Sequence, residues 1–331
     1  MENELLYEMQ NAFPMSQRPF KAVAEKLNST EEEVLTLVQK LKDDKIIRQT
    51  SAIFDTKRLG YKSSLVAFKV DEDKVDKAAE IINAHPGVSH NYLRNHDYNI
   101  WFTMAVAPDS KLGLEKTIEI LKERTGAEDA IVLPTLKMFK ISVKMDTTGK
   151  RAKKEKVKKL AHKEIELTPQ HIAVIKELQK DIEVTQEPFK KAREKLDLSY
   201  DEFFTFANEL KESGIMRRFA TILNHRKAGF GANAMSVWAV PEEKGEEIGR
   251  EMAEFSAVSH CYLRPSYPNW PYNLFAMVHA KTQEECDELI EEMAKESGLT
   301  EYGKLYSTVE FKKQRLVYFD DTFKAWEKEV L

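Results

Sequence analysis

The pattern Val-Ser-His-x-Tyr-Leu-Arg occurs twice in the chain, beginning at Val88 and again at Val258. Arg264 follows Arg94 by 170 residues (264 − 94), and the same offset relates the two histidines and the two tyrosines. The match extends outward, since residues 16–49 resemble 185–218 and residues 52–68 resemble 221–238. The chain is therefore a tandem duplication, in which each half repeats one unit built of two parts.

Composition limits the class of protein. A length of 331 residues with 42% hydrophobic content is enough for two or more cores. No apolar run is long enough for a membrane span and the N-terminus is acidic, so we expect a soluble cytoplasmic protein. Two cysteines, Cys261 and Cys286, exclude a disulfide framework, an iron–sulfur cluster on the usual thiolates and a Cys-rich zinc site. A net charge of -4 gives no general attraction to nucleic acid or to anionic membranes.

The first part of each unit has the pattern of a helix-turn-helix domain. Apolar residues fall at helical spacing in residues 20–27 and again in residues 34–41. Between them, Asn28, Ser29 or Thr30 is a candidate N-cap, followed by acidic residues in the first turn of the next helix.

The second part changes to a period of two, which predicts strands in RQTSAIF, SSLVAFKV, VSHNYLRNH, NIWFTMAV and AIVLPTLKMFKISV. Helices are predicted at about residues 73–84 and 111–125. The order strand, helix, strand, strand, helix, strand is that of a ferredoxin-like domain (βαββαβ), whose sheet has one face under its helices and the other face open. The predicted fold class is α+β, a tandem repeat of a winged or helix-turn-helix domain plus a ferredoxin-like domain.

The predicted domains have the following bounds: helix-turn-helix 1–50, ferredoxin-like 51–148, basic linker 149–164, second helix-turn-helix 165–218 and second ferredoxin-like 219–331. The linker is dense in lysine and is interpreted as solvated and partly helical. A phosphate-binding arm is the alternative reading of the same charge run.

The alternation of side chains along a strand predicts which residues of the repeated motif lie on the same face. Side chains alternate along a strand, so His90, Tyr92, Arg94 and His96 are predicted to share one face. His260, Tyr262 and Arg264 are predicted to share the equivalent face of the second half. Charged groups are costly to bury without partners, which argues against an ordinary core at these positions.

This arrangement resembles the Lrp/AsnC group of transcriptional regulators over nearly the whole of both halves. A closer resemblance is to the siroheme decarboxylases, which share that plan. HPGVSHNYLRNHDYNIWFT is similar to their first subunit type, and HRKAGFGANAMSVW with VSHCYLRPSYPNWPYNLFAM is similar to their second. The resemblance implies that two subunit types, commonly separate chains, are fused here.

The resemblance implies a carboxy-lyase that removes two acetate carboxylates from siroheme, at positions 12 and 18, and yields didecarboxysiroheme on an alternative route to heme. Siroheme is an iron tetrapyrrole with eight carboxylates, and its conjugated ring can accept the electrons released by decarboxylation. We therefore expect no cofactor beyond the iron tetrapyrrole itself, whether siroheme or heme. The remaining tasks are to exclude water from the acetate and to deliver a proton, for which histidine is suited.

The candidate residues follow from this expectation. The predicted catalytic residues are His90, His96, His260, Arg94 and Arg264. The predicted substrate-binding residues are Tyr92, His225, Arg226, Lys227, Tyr262, Tyr267 and Trp270, with His225 also a candidate axial ligand of the iron. His85, His162, His171 and His279 are interpreted as structural or surface residues. Four residues are inserted after Arg264 relative to the first half, which suggests one productive cleft and a division of labour between the halves.

Two other functions remain open at this level. A heme or siroheme sensor needs an iron ligand and carboxylate contacts but no proton donor. A DNA-binding regulator is disfavoured because acids at residues 31–33, and at 201–202 in the second copy, lie where DNA phosphates normally approach. Siroheme and didecarboxysiroheme are the expected partners, with the two halves paired within one chain and a homodimer as a further expectation.

Overall fold

The computed structural model describes residues 1–11, 13–141, 163–224 and 232–331. In this part of the chain the helices are α1 (Glu2–Asn11), α2 (Pro19–Lys26), α3 (Glu31–Asp43), α4 (Val75–Ala84), α5 (Gly113–Thr125), α6 (Pro169–Leu178), α7 (Lys190–Lys195), α8 (Tyr200–Glu212), α9 (Gly245–Glu254), α10 (Gln283–Ser297) and α11 (Thr322–Val330). The strands are β1 (Ile47–Phe54), β2 (Lys62–Lys69), β3 (Val88–Arg94), β4 (Ile100–Val106), β5 (Asp129–Leu133), β6 (Lys137–Ile141), β7 (Met216–Leu223), β8 (Ala232–Trp238), β9 (Val258–Leu263), β10 (Leu274–Ala280) and β11 (Tyr302–Lys313).

One compact unit contains the helix-turn-helix parts of both halves, within residues 1–59 and 163–224. Each copy supplies three helices and one strand, and strands β1 and β7 pair antiparallel. At the centre of this pair the buried hydroxyl groups of Thr50 and Thr221 lie 2.8 Å apart. The strand predicted in RQTSAIF is therefore present, but it pairs with its own repeat and not with the ferredoxin-like sheet.

Acidic residues in the first turns of α3 and α8, the third helix of each copy, form capping boxes. Thr30 Oγ1 accepts a hydrogen bond from the Glu33 backbone N–H at 3.2 Å, and the Glu33 carboxylate accepts one from the Thr30 N–H at 3.0 Å. Ser199 and Glu202 repeat this exchange. The predicted N-cap is confirmed at Thr30, and helix capping accounts for Glu33 and Glu202.

A second compact unit contains both ferredoxin-like parts, within residues 60–141 and 232–331. The first copy runs β2-α4-β3-β4-α5-β5 and the second runs β8-α9-β9-β10-α10-β11, which confirms the predicted order twice. The strand predicted in AIVLPTLKMFKISV is divided into β5 and β6. Pro134 lies at the break, where a residue without a backbone N–H cannot continue the ladder.

The two copies exchange their last strands. β11 pairs with β8 through Tyr302–Tyr306 and then with β3 through residues 307–313. β6, from the first half, pairs with β9 of the second half. The result is one sheet in the order β5-β2-β4-β3-β11-β8-β10-β9-β6. The edge strands β5 and β6 are separated by only three residues of chain, so the two edges of the sheet lie close together and the sheet is strongly curved.

The two faces of this sheet are buried differently. Helices cover one face in each half and form two separate apolar cores. The centre of the opposite face, called here the inner face, is also buried, because both halves contribute to a third core that includes Trp101, Leu133, Val237, Trp270 and Phe275. The expectation of an open sheet face is therefore wrong for this central part, whereas Thr103, Met138 and Ile141, opposite residues of the two motifs, are exposed.

Candidate active site

The first repeated motif lies on the inner face of β3. His90 is opposite Thr103 and Tyr92 is opposite Trp101, a member of the inner core, so these two residues share the predicted face. β3 ends at Arg94, so His96 lies in the following loop and not on the strand face predicted for it. The Ser89 hydroxyl lies 3.0 Å from His90 Nδ1. Arg94, only 5% exposed, donates from Nη1 to the Leu305 carbonyl oxygen of the other half at 2.8 Å.

The second motif has the same arrangement on β9. His260 is opposite Met277, and Tyr262 is opposite Phe275 of the inner core. Arg264, 8% exposed, donates from Nη1 to the Leu133 carbonyl oxygen of the first half. Its guanidinium carbon lies 4.8 Å from the centre of the Tyr262 ring, a cation–π contact.

Both arginines are buried cations. In the described part of the chain no carboxylate forms an ion pair with Arg94 or Arg264, and the Nε atom of each has no hydrogen-bond partner. Burial lowers the pKa of each guanidinium to about 10, so both remain charged at neutral pH. A buried cation is costly unless an anion compensates it, so this arrangement suits an anionic ligand.

The strands paired with the two motifs differ in charge. On β11, Glu310 lies opposite Tyr92 and Lys313 lies opposite His90. On β6, the partners of Tyr262 and His260 are the apolar Met138 and Ile141. The duplicated motifs therefore have unequal surroundings.

Among the described residues, a chain of side-chain hydrogen bonds extends from the second motif. The Ser259 hydroxyl lies 2.8 Å from His260 Nδ1 and 2.7 Å from His279 Nε2. Burial, and then the positive charge of Lys313, lower the pKa of His279 to about 4, so its imidazole is neutral at physiological pH. Lys313, the strand partner of His90, thus acts electrostatically on His279 of the second half.

His96 and Trp270 belong to a cluster built by loops of both halves. Their rings are 5.2 Å apart in an edge-to-face contact, and Trp101 packs on Trp270 at the same distance. His96 Nδ1 accepts a hydrogen bond from the Tyr98 backbone N–H at 3.0 Å, and burial lowers the pKa of His96. Trp270 is only 1% exposed, and its indole N–H is an unpaired buried donor among the described residues. The predicted stacking of Trp270 on a substrate ring therefore requires its loop to move.

The remaining predicted residues are placed as follows. Tyr267 is exposed, and its hydroxyl donates to the Val132 carbonyl oxygen at 2.6 Å, which ties the inserted loop to β5. His225, Arg226 and Lys227, with the proposed iron ligand among them, lie outside the described residues, as does most of the predicted basic linker. Among the residues described, no three His, Cys, Asp or Glu side chains are grouped as a metal site.

Sequence reasoning missed one of these contacts. His279 was interpreted as a structural or surface residue, and its Nε2 contacts the Ser259 hydroxyl, which also contacts His260 Nδ1. The equivalent of His279 in the first half is Ala105, since 279 − 105 = 174 is also the offset between Asn99 and Asn273. The sequence does contain a signal for this contact, because His279 departs from the repeat at a position where the first half has alanine. None of the helices described is both long and apolar enough to cross a membrane.

Family models and known proteins match the chain along its length. Residues 58–140 and 227–312 match the AsnC-like ligand binding domain, and residues 2–48 match the siroheme decarboxylase NirDL-like HTH domain. The siroheme decarboxylase of Hydrogenobacter thermophilus is 41% identical over 99% of this chain and 98% of its own length. The crystal structure of the siroheme decarboxylase NirDL in co-complex with an iron-uroporphyrin III analogue has a TM-score of 0.77 at 37% identity, over 100% of this chain and 98% of that one.

Separate subunits also match. The alpha and beta subunits of the siroheme decarboxylase of Desulfovibrio desulfuricans are 43% and 32% identical over 43% and 46% of this chain. The matches cover 81% and 98% of those two subunits. The fold and the family match in both halves define a tandem protein with two AsnC-like ligand binding domains. The chain belongs to the siroheme decarboxylase family, with the two subunit types fused in one polypeptide.

Proposed function

We propose that this chain is a carboxy-lyase that converts siroheme to 12,18-didecarboxysiroheme by removing two acetate carboxyl groups. The observation that carries the proposal is the pair of buried cations, Arg94 and Arg264, each without a carboxylate partner in the described chain. Family membership and the tetrapyrrole analogue bound to the similar crystal structure support the same conclusion.

The substrate supplies the missing anions. Siroheme has eight carboxylates around a flat ring, and a guanidinium binds a carboxylate through charge-assisted hydrogen bonds worth about 1.5–3 kcal/mol each. The free Nε donors of Arg94 and Arg264 are available for this contact. Tyr92 and Tyr262 lie beside these arginines, and we expect them to contact the ring or its side chains.

The chemistry requires one proton for each carboxyl group lost. The bond between the acetate methylene and its carboxylate breaks, carbon dioxide leaves, and the electron pair passes into the conjugated ring. A proton then adds to the methylene carbon and forms the methyl group. The inner-face histidines are the candidate donors, because histidine titrates near working pH.

Three histidines therefore compete for the role of acid: His90, His96 and His260. His90 and His260 each have Nδ1 beside a serine hydroxyl, which leaves Nε2 as the nitrogen for proton transfer. His96 has Nδ1 occupied by the Tyr98 N–H, and its burial disfavours the protonated form. The geometry thus favours the two motif histidines over His96.

The test is an anaerobic incubation of the purified chain with siroheme, followed by mass spectrometry of the extracted tetrapyrrole. Loss of two carboxyl groups as carbon dioxide is the expected result. If the protein binds siroheme but the siroheme is recovered intact, the result would contradict the enzyme and favour a siroheme sensor. Absence of both binding and conversion would overturn the proposal altogether. The homodimer stays a prediction, which sedimentation of the same sample checks.

A further inference from the structure

We infer that Ser259 and His279 are positioning residues that orient His260 as the proton donor, so that the second-half motif performs the proton transfer. This inference rests on the proposed function and deepens it. Its basis is the hydrogen-bonded chain from His260 through Ser259 to His279.

A bulge in the strand places Ser259 between the two rings. Along β9 and β10, His260 pairs with Met277 and Val258 pairs with Val278, so Ser259 is an extra residue without a partner across the ladder. A β-bulge changes the direction in which its side chain points, and such bulges are frequent beside active sites. Ser259 is only 5% exposed, which excludes most water from its hydroxyl.

Because Ser259 has a single hydroxyl proton, it can donate only one of its two hydrogen bonds to the histidines. A serine hydroxyl donates one hydrogen bond and accepts others. Because buried His279 stays neutral, its Nε2 can accept the Ser259 proton, and Ser259 Oγ then accepts from His260 Nδ1–H. This assignment leaves Nε2 of His260 as the nitrogen that gains and loses the catalytic proton.

The first half lacks this support. Its own bulge places Ser89 beside His90, but Ala105 occupies the position equivalent to His279. Lys313 also lies opposite His90, and a neighbouring cation disfavours the protonated imidazole. His260 has the apolar Ile141 in that place. The two halves are therefore not equivalent as proton donors.

The proposed step balances as follows. His260 Nε2–H gives its proton to the methylene carbon that lost carbon dioxide, and the imidazolium becomes a neutral imidazole. Its Nδ1–H stays hydrogen-bonded to Ser259 throughout. Solvent then returns a proton to Nε2 before the next carboxyl group is removed.

The decisive experiment compares His279→Ala, Ser259→Ala and His279→Gln with the matched first-half variant Ser89→Ala. The rates of carboxyl loss are measured from pH 5.5 to 8.5, a range set by the unperturbed histidine pKa of about 6.5. We expect His279→Ala and Ser259→Ala to lower kcat about tenfold or more and to shift the pH profile, with KM changed less than about threefold. His279→Gln keeps a hydrogen-bonding group near the Nε2 position and should recover part of the rate.

Several groups around His260 contribute to that pH profile: Tyr262 on its own strand, His279 on β10, and Lys313 on β11, which acts on His279. Ile141 on β6 contributes no charge. The Lys313→Met variant is therefore measured in the same series. It separates the effect of the Lys313 charge on the pH profile from the effect of the hydrogen bonds between His260, Ser259 and His279. An unchanged kcat and pH profile in His279→Ala, or an equal loss in Ser89→Ala, would overturn the inference.

A second readout does not depend on turnover. Nitrogen-15 chemical shifts of the substrate-free protein report which ring nitrogen of neutral His260 carries the proton. We expect Nδ1–H in the wild type and loss of that preference in Ser259→Ala. An Nε2–H tautomer in the wild type would refute the positioning role even in a fully active enzyme, whereas Nδ1–H in a protein that does not convert siroheme would leave the geometry intact and refute the proposed function.

Discussion

Arg94 Nη1 lies 2.8 Å from the carbonyl oxygen of Leu305, so a cation of the first half is held by the backbone of the second. Arg264 and Leu133 make the reciprocal contact. Arg264 Nη1 also lies 3.3 Å from the Thr135 hydroxyl oxygen. Among the described residues the Nε of each arginine has no hydrogen-bond partner. The same two residues therefore join the halves and are the cations that we propose bind the carboxylates of the substrate.

Replacing either arginine should separate these two roles. We expect Arg94→Met and Arg264→Met each to weaken siroheme binding about 10- to 150-fold, since a charge-assisted hydrogen bond of about 1.5–3 kcal/mol is lost. Stability should change less, because removing an uncompensated buried charge offsets the loss of one hydrogen bond to a carbonyl. Absorbance titration measures the binding. Arg250→Gln, at an exposed arginine paired with Glu246, is the matched control and should bind as the wild type does.

Trp270 should matter for stability as well as for the site. It is 1% exposed and packs on His96, Trp101 and Phe275. Trp270→Ala is expected to lower the free energy of unfolding by about 3–5 kcal/mol, the usual cost of truncating a buried aromatic side chain. Urea denaturation measures the change. Tyr267→Phe in the same loop removes one exposed hydrogen bond and should cost about 1 kcal/mol. Equal losses in both variants would contradict the packing role of Trp270.

The buried histidines should make the protein sensitive to mild acid. Burial lowers the pKa of His85 to about 3, while an unfolded histidine titrates near 6.5. Below pH 6.5 this histidine therefore binds a proton in the unfolded chain but stays neutral in the folded chain. The free energy of unfolding then falls by up to about 1.4 kcal/mol per pH unit for each such group. Denaturation between pH 6.5 and 5 tests this before most carboxylates titrate.

The variant His85→Asn should reduce this slope. Its side-chain oxygen can replace Nδ1, which accepts a hydrogen bond from the Gly87 N–H at 2.9 Å, but the amide does not titrate. An unchanged pH slope in this variant would show that other groups cause the acid sensitivity.

The capping residues predict a local effect in the helical unit. Thr30→Ala and Ser199→Ala each remove a side-chain acceptor from the start of a helix, which typically costs about 1 kcal/mol. Both variants should convert siroheme at the wild-type rate at a temperature where they remain folded. Hydrogen exchange of the first-turn amides of α3 and α8 measures the loss. A fall in turnover without a fall in stability would place a catalytic role in this unit.

The sequence predicted those features that depend on short-range pattern. Apolar spacing and the Thr30 cap predicted the helices, and period-two alternation placed His90, Tyr92 and Arg94 on one face. The exchange of β6 and β11 was not predictable in this way, because a strand's pattern shows which side is buried but not which strand lies beside it. For the same reason the burial of the centre of the inner face was missed. The Ser259–His279 contact was missed because it joins two strands across a bulge, which shifts the register.

The exchanged strands also bear on how the molecule assembles. β11 bonds to β8 of its own half and to β3 of the other, so neither half can complete its sheet alone. If the two halves were separate chains, that completion would be a bimolecular event governed by the concentration of each chain. Here the two halves are covalently joined in one chain, so the same completion is intramolecular. Assembly should therefore be independent of dilution and always supply the two halves in equal number.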